Sequence, residues 1–233
     1  MIKGLWSCCN KRRESVGCQQ SATHKMRDYR PGELEKLWTF YETPAHTGPG
    51  RPRTAVVVDC EMGTADSGES ELIRLSAVDF FTGEILVDSL VFPDVKMAHF
   101  NTRYSGVRFR DMYQAHREGT CILGRDQARE AVWRHVGPET LLVGHALHMD
   151  LLAMRWRHFN VVDTLLVEQR WRRDARDTTT GFLSLKALTL ERLHRGIQAG
   201  PHHSLEDAIA TRDLLHSYLN EPDKRDVAEA ERD

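Results

Sequence analysis

No apolar run in this chain of 233 residues approaches the roughly 20 residues needed to span a bilayer, so no membrane span is expected. The opening stretch, MIKGLWSCCNKRR, lacks the apolar segment of a signal peptide. Cysteine is scarce and odd in number, five in all, which argues against a disulfide framework and for a reducing compartment. Charge of one sign is not in excess: Lys plus Arg count 32 against 34 acids, a formal net charge of -2. That excludes a protein holding nucleic acid by bulk positive charge alone, while leaving room for a local basic patch. Hydrophobic residues at 40% and charged residues at 28% are close to the globular average, which excludes wholesale disorder. A soluble intracellular chain of one domain with appendages is expected.

Residues 1–30 stand apart, with seven Lys or Arg against two acids, three of the five cysteines and no hydrophobic periodicity. Residues 31–53 open with PGELEKLWTFY, a short helix, and run on through the Gly- and Pro-rich TPAHTGPGRPR, which reads as a linker. Residues 54–220 carry the core, and the acidic stretch 221–233 reads as a solvated, disordered tail. Ala55-Val56-Val57-Val58 is a buried strand. ELIRLSAVDFF and EILVDSLVF, joined through Thr82-Gly83, form a hairpin. Helical spacing follows over residues 124–136, 149–156, 164–176, 184–195 and 205–219, with short strands at 141–143 and 161–162. Three strands without helices, then alternating strand and helix, predict a mixed α/β sheet flanked by helices.

Three polar clusters interrupt this pattern. Asp59-Cys60-Glu61 ends the first strand, and strand alternation puts both acids on one face. Like charges so close repel unless a cation neutralises them, and hard oxygen ligands suit Mg²⁺ or Mn²⁺; two ordinary surface acids are the competing reading. In Gly144-His145-Ala146-Leu147-His148-Met149-Asp150, Asp150 falls near a helix start, where a capping aspartate is equally at home. In His202-His203-Ser204-Leu205-Glu206-Asp207, Ser204 fits an N-cap and Asp207 the acidic position of a capping box.

Taken together and in this order, the three clusters resemble the DEDDh (DnaQ-like) 3′-5′ exonuclease superfamily over residues 54–220. VVVDCEMG, TRYSGV, LVGHALHMDL, VVDTLL and the His-x4-Asp helix are most similar to the eukaryotic RNA-exonuclease branch related to the interferon-stimulated 20 kDa exonuclease. The resemblance implies an RNase H-like five-stranded sheet, with three antiparallel strands and then parallel ones. It implies two Mg²⁺ or Mn²⁺ ions held by Asp59, Glu61, Asp150 and Asp207, with His202 as general base. The spacing to Asp207 selects His202 over His203. Met149 departs from the Asn common in related sequences.

The activity implied is hydrolysis at the 3′ end of single-stranded RNA, releasing nucleoside 5′-monophosphates. DNA as substrate, or a catalytically silent binding domain, is the alternative. Met62 and Gly63 are expected beside the terminal nucleotide, where a glycine permits close approach. Arg103 and Tyr104 are expected to meet phosphate or ribose and stack on a base. Arg155, Arg157, Arg170, Arg172 and Arg173 form either a second basic track or a solvated helix face. Trp133, Trp156 and Trp171 read as core. Cys8, Cys9, Cys18 and His24 resemble the C-terminal half of a small zinc module, but the upstream ligands are missing, so a remnant without zinc is expected. A monomer, located in the nucleus or nucleolus, completes the expectation.

Overall fold

The computed structural model describes residue 15, residues 29–174 and residues 183–220, and the chain divides into two compact units, 1–39 and 40–233. Cys8, Cys9, Cys18, His24 and the acidic tail lie outside the described residues. The first unit carries the expected short helix, α1 (Glu33–Trp38).

The second unit begins with β1 (Tyr41–Glu42), β2 (Ala55–Ala65), β3 (Ser70–Asp79), β4 (Ile85–Phe92) and β5 (Met97–His99). Two helices follow, α2 (Thr102–Ser105) and α3 (Phe109–Glu118), then β6 (Ile122–Leu123), α4 (Gly124–Trp133) and β7 (Leu141–Gly144). The remainder is α5 (His148–Ala153), β8 (Trp156–Arg157), β9 (Val161–Asp163), α6 (Thr164–Asp174), α7 (Leu185–Leu193) and α8 (Ser204–Asn220). No helix among the described residues is long and apolar enough to cross a membrane.

The main sheet runs in the order β6-β4-β3-β2-β7-β9, with β5 also paired to β2. β2, β3 and β4 are antiparallel neighbours, whereas β7 lies parallel to β2 and β9 parallel to β7. This is the mixed architecture expected, with the strand count corrected from five to seven: β5 and β6 are too short for the period-2 signal to register. The hairpin turns at Gly83 (φ 75°), where the Asp79 carboxylate accepts the N–H groups of Phe81 and Thr82 at 2.9 and 2.8 Å.

Alternation along β2 divides the core. Val56, Val58 and Cys60 pack with Leu72, Leu75, Val132, Leu142, Met154 and Trp156 on one face. Ala55 and Val57 pack with Val143, Leu188, Ala208, Ala210 and Leu214 of the other, beneath α7 and α8. Of the three tryptophans expected in the core, Trp156 is fully buried, while Trp133 and Trp171 are half-buried against one core cluster each.

The linker reading of residues 43–53 is corrected, and the two residues before it form a strand. Tyr41 and Glu42 pair in parallel with Trp156 and Arg157, and Thr43 Oγ1 meets Trp156 Nε1 at 2.8 Å and His158 Nδ1 at 2.6 Å. His46 Nε2 lies 2.9 Å from the Arg134 carbonyl. At Gly48 the stretch packs tightly: a Cβ there would fall 2.2 Å from that same carbonyl oxygen.

Behind α8, the fully buried Glu168 receives Arg192 Nε at 2.9 Å and also bonds Arg172 and the Tyr218 hydroxyl. This ties α6, α7 and α8 together. Removing the carboxylate takes from Arg192 and Arg172 their buried ion-pair partner, leaving Arg172 its exposed pair with Glu191, and breaking one side of a buried ion pair costs about 3–5 kcal/mol. Glu168→Ala is therefore expected to lower the urea-unfolding free energy by about that amount. A loss below about 1 kcal/mol would show that water reaches the cluster.

Candidate active site

The acid pair lies on the α8 face of β2. Strand parity continues Ala55 and Val57 into Asp59 and Glu61, so the face that is apolar at the start of the strand becomes anionic further along. The pair is not at the strand end, as expected, because β2 continues to Ala65. A register shift between Glu61 and Met62 marks where regular pairing with β3 is interrupted.

The other acids arrive by long-range packing. Asp150 is buried in the first turn of α5, and Leu147 holds the N-cap position without a side-chain bond, so the capping-aspartate reading is excluded. Asp150 Oδ1 instead accepts the N–H of Cys60 at 2.9 Å, joining α5 to β2 between the paired acids. The preceding loop is held by Asp163, whose carboxylate accepts the N–H groups of Ala146 and Leu147 at 2.9 and 3.0 Å. Ala146 has φ 56° there, a conformation uncommon for a residue with a side chain.

Asp207 comes from the first turn of α8. Ser204 does not act as the expected N-cap: it is the first helical residue, fully buried, with its hydroxyl 2.7 Å from that of Ser76. Ser76 sits opposite Asp59 in the β2–β3 register, so this bond sets the start of α8 beside the acid pair. His202, just before the helix, donates its N–H to the Tyr104 carbonyl at 2.6 Å. Its Nδ1 lies 3.6 Å from Asp207 Oδ2, and its side chain is 44% exposed. His203 instead lines a hollow of about 670 Å³ with Leu205 and Ile209.

Burial raises the proton affinity of all four acids, and at Asp59 and Glu61 the neighbouring acids add to it. Asp59 is driven well above the usual carboxylate range, first by burial and then by Asp150, Asp207 and Glu61. Glu61 is pushed up to about 8, by burial and Asp207 against the opposing pull of Arg74. Asp150 is also pushed up to about 8, mainly by burial, with the Cys60 N–H opposing. Asp207 rises through burial, resisted first by Gln198 and then by His202. Ligand atoms of Glu61, His202 and Asp207 lie within 4.8 Å of one another. A set of hard oxygens whose charges cost free energy when bare fits a divalent cation.

Comparison with known proteins places this arrangement. No family model matches the chain. RNA exonuclease 3 of Candida albicans is 32% identical over 221 residues, 93% of this chain and 52% of that protein. RNA exonuclease 3 of Saccharomyces cerevisiae is 32% identical over 217 residues, 90% of this chain and 49% of that protein. The chain thus spans about half the length of these curated relatives. Among solved structures, the Neurospora crassa Pan2 catalytic unit (protease and nuclease domain) superposes with a TM-score of 0.63 at 20% identity, covering 84% of this chain and 34% of that one. The Saccharomyces cerevisiae Pan2 UCH-Exo module in complex with AAGGA RNA gives 0.58 at 25% identity, covering 78% and 33%. These matches agree with the resemblance of the motifs to the DEDDh exonuclease superfamily.

Of the other DEDDh positions expected from the sequence, Arg103 and Tyr104 lie on α2. The Tyr104 ring is 62% exposed, and the Arg103 guanidinium carbon is 6.0 Å from its centroid. Met62 is half-buried, and its carbonyl accepts the Asn101 side-chain amide at 3.1 Å. Gly63 is packed closely by β5. A Cβ there would fall 2.5 Å from Met97 Cε and 3.0 Å from the His99 carbonyl oxygen, so its missing side chain makes room for β5. Met149 is 49% exposed and takes no part in the acid cluster contacts. The arginine track does not form as a unit: Arg155 is buried, Arg157 pairs with Glu42, and Arg172 is committed to Glu168 and Glu191. Gln198, Arg74, Asp163 and Asn101 escaped the sequence reading. Only the VVDT stretch containing Asp163 carried a signal that could have found one of them.

The raised acids predict an unusual pH response. With folded-state values near 8 for Glu61 and Asp150, against about 4 in the unfolded chain, the native state binds more protons across that interval. Metal-free stability therefore falls as pH rises from about 4 to about 8. A cation replaces those protons, so the gain in Tm from millimolar Mn²⁺ is expected to be larger at pH 8 than at pH 6. Calorimetry in EDTA and in Mn²⁺ at the two pH values checks this, and an equal gain at both contradicts a proton-linked site.

Proposed function

We propose that this domain is a 3′-5′ exoribonuclease using two Mg²⁺ or Mn²⁺ ions to release nucleoside 5′-monophosphates from single-stranded RNA. The observation that carries it is the convergence of Asp59, Glu61, Asp150 and Asp207 with an exposed histidine beside Asp207. The names of the relatives and the RNA-bound Pan2 structure support RNA over DNA.

In this reading the four acids hold the cations. Such a pair, when bound, stabilises the attacking and leaving oxygens of an in-line displacement. His202 is placed to move the proton. Its Nδ1 faces the Asp207 carboxylate, which leaves Nε2 to accept the proton of the attacking water. The imidazolium that results is stabilised by Asp207. The Tyr104 carbonyl fixes the main chain of His202, and His202 is exposed enough for water and substrate to reach it. Tyr104 offers an uncovered ring on which a terminal base can stack, with Arg103 beside it for phosphate.

The test is hydrolysis of 3′-labelled RNA and DNA by wild type and single variants at saturating Mg²⁺. Asp59→Ala, Asp150→Ala and Asp207→Ala are expected to abolish activity. His202→Ala should lose about two to four orders of magnitude in kcat, whereas His203→Ala stays within about threefold of wild type, because the His203 side chain lines a hollow with Leu205 and Ile209. Inactivity of His203→Ala with His202→Ala active would transfer the proton role to the neighbouring residue. Preference for DNA would replace the ribonuclease reading with a deoxyribonuclease one.

A further inference from the structure

Asp207 is the one acid of the site whose two carboxylate oxygens are both engaged by a single side chain. Gln198, in the loop between α7 and α8, donates its Nε2 to Asp207 Oδ1 at 3.1 Å and to Oδ2 at 3.0 Å. The Gln198 backbone is held from both sides. Its N–H donates to Glu206 Oε2 at 2.9 Å, and its carbonyl accepts Lys186 Nζ at 2.7 Å. The preceding Ile197 is buried in the α7–α8 core.

Gln198 also has φ 53°, in the left-handed region where a residue with a side chain is strained and glycine is not. The neighbouring Gly196 and Gly200 show that glycine occurs in this loop. Strain of this kind persists where the surrounding structure over-determines it, and it gathers at functional sites. Here the strained residue is the one that reaches a site acid.

We infer that Gln198 is a positioning residue for cation binding, whose amide sets the plane of the Asp207 carboxylate. This rests on the reading of Asp207 as a cation ligand. Each carboxylate oxygen has two lone-pair sites, so an amide bonded to both still leaves acceptor capacity for a cation. Without the amide, Asp207 is free to rotate about its side-chain torsions toward His202, and the entropy of ordering it is charged to cation binding. The reciprocal bond from Gln198 N–H to Glu206, the residue next to Asp207, locks loop and helix into one register.

The experiment uses the full chain and Mn²⁺ alone as probe, following the rise in Tm as Mn²⁺ is added at fixed pH. It compares wild type, Gln198→Leu, Gln198→Gly and Asp207→Ala. Gln198→Leu removes the donors at similar volume. Gln198→Gly removes the side chain while suiting the backbone, so it folds even if the leucine variant does not. Both are expected to need about 10- to 100-fold more Mn²⁺ for the half-maximal shift. At saturating Mn²⁺, their kcat on RNA should return to within about threefold of wild type, since no reacting group is lost. A merely structural Gln198 would lower the metal-free Tm and leave the Mn²⁺ midpoint unchanged, and that result overturns the inference. A tighter midpoint overturns it as well, because the amide would then be a competitor of the cation. If wild type itself shows no Mn²⁺ shift, the cation reading fails first and this one with it; Asp207→Ala, expected to show little or no shift, separates that case from a shift arising elsewhere.

Discussion

Four carboxylates brought together repel one another, and the domain spends packing free energy to hold them there. Burial, joined at Asp59 and Glu61 by the charges of neighbouring acids, raises the proton affinity of Asp59, Glu61, Asp150 and Asp207. The opposing forces are spread around the cluster rather than concentrated. Arg74 stands opposite Glu61 in the β2–β3 register, the Cys60 N–H reaches Asp150, and Gln198 reaches Asp207. Each donor lowers the cost of one carboxylate, and none neutralises the group. The residual negative potential is what a divalent cation would answer.

The cluster depends on β2 sitting in the centre of the sheet. Its even positions feed the core under α4 and α5, and its odd positions feed the core under α7 and α8. Extending the same parity by two residues turns a buried apolar face into an anionic one. Asp150 enters because β7 lies parallel to β2, which delivers the α5 helix to the same end of the sheet. Asp207 enters because Ser204 is docked on Ser76, one strand away from Asp59. The site is therefore as stable as the sheet-to-helix packing around it. Core substitutions in β2, β7 or α8 would disturb metal binding without touching a ligand.

The loop contacts show a second principle. α2 ends at Gly106, where a Cβ would lie 3.2 Å from the His202 carbonyl oxygen and 3.3 Å from Pro201. Together with the Tyr104–His202 backbone bond, this close approach couples the segment expected to meet RNA to the residue expected to move the proton. Asp163 does the same for the loop before Asp150, with backbone N–H groups as its partners. Main-chain pins of this kind hold side chains in place without occupying the reactive face.

Much of this was legible in the sequence. Strand parity alone put Asp59 and Glu61 on one face, because the pleat repeats every two residues. The His-x4-Asp resemblance pointed to His202, and it is the His202 ring whose Nδ1 lies 3.6 Å from Asp207. The apolar periods located α4, α6, α7 and α8 to within a few residues of their observed bounds. The docking of residues 43–53 was misread, since Gly and Pro signal a turn and a tight packing contact alike. At Gly63 a missing Cβ says that something approaches, and only the fold shows that Met97 of β5 is there. Gln198, Arg74 and Asn101 carry no local signature, because a single amide or guanidinium becomes part of a site only through its partner. The sequence by itself determined which groups can ionise, which face of β2 they share and where the helices run, all consequences of short-range periodicity. The tertiary structure alone decided which donors meet which carboxylates, because those bonds join residues 9 to 90 positions apart, and only long-range packing brings such residues within hydrogen-bonding distance.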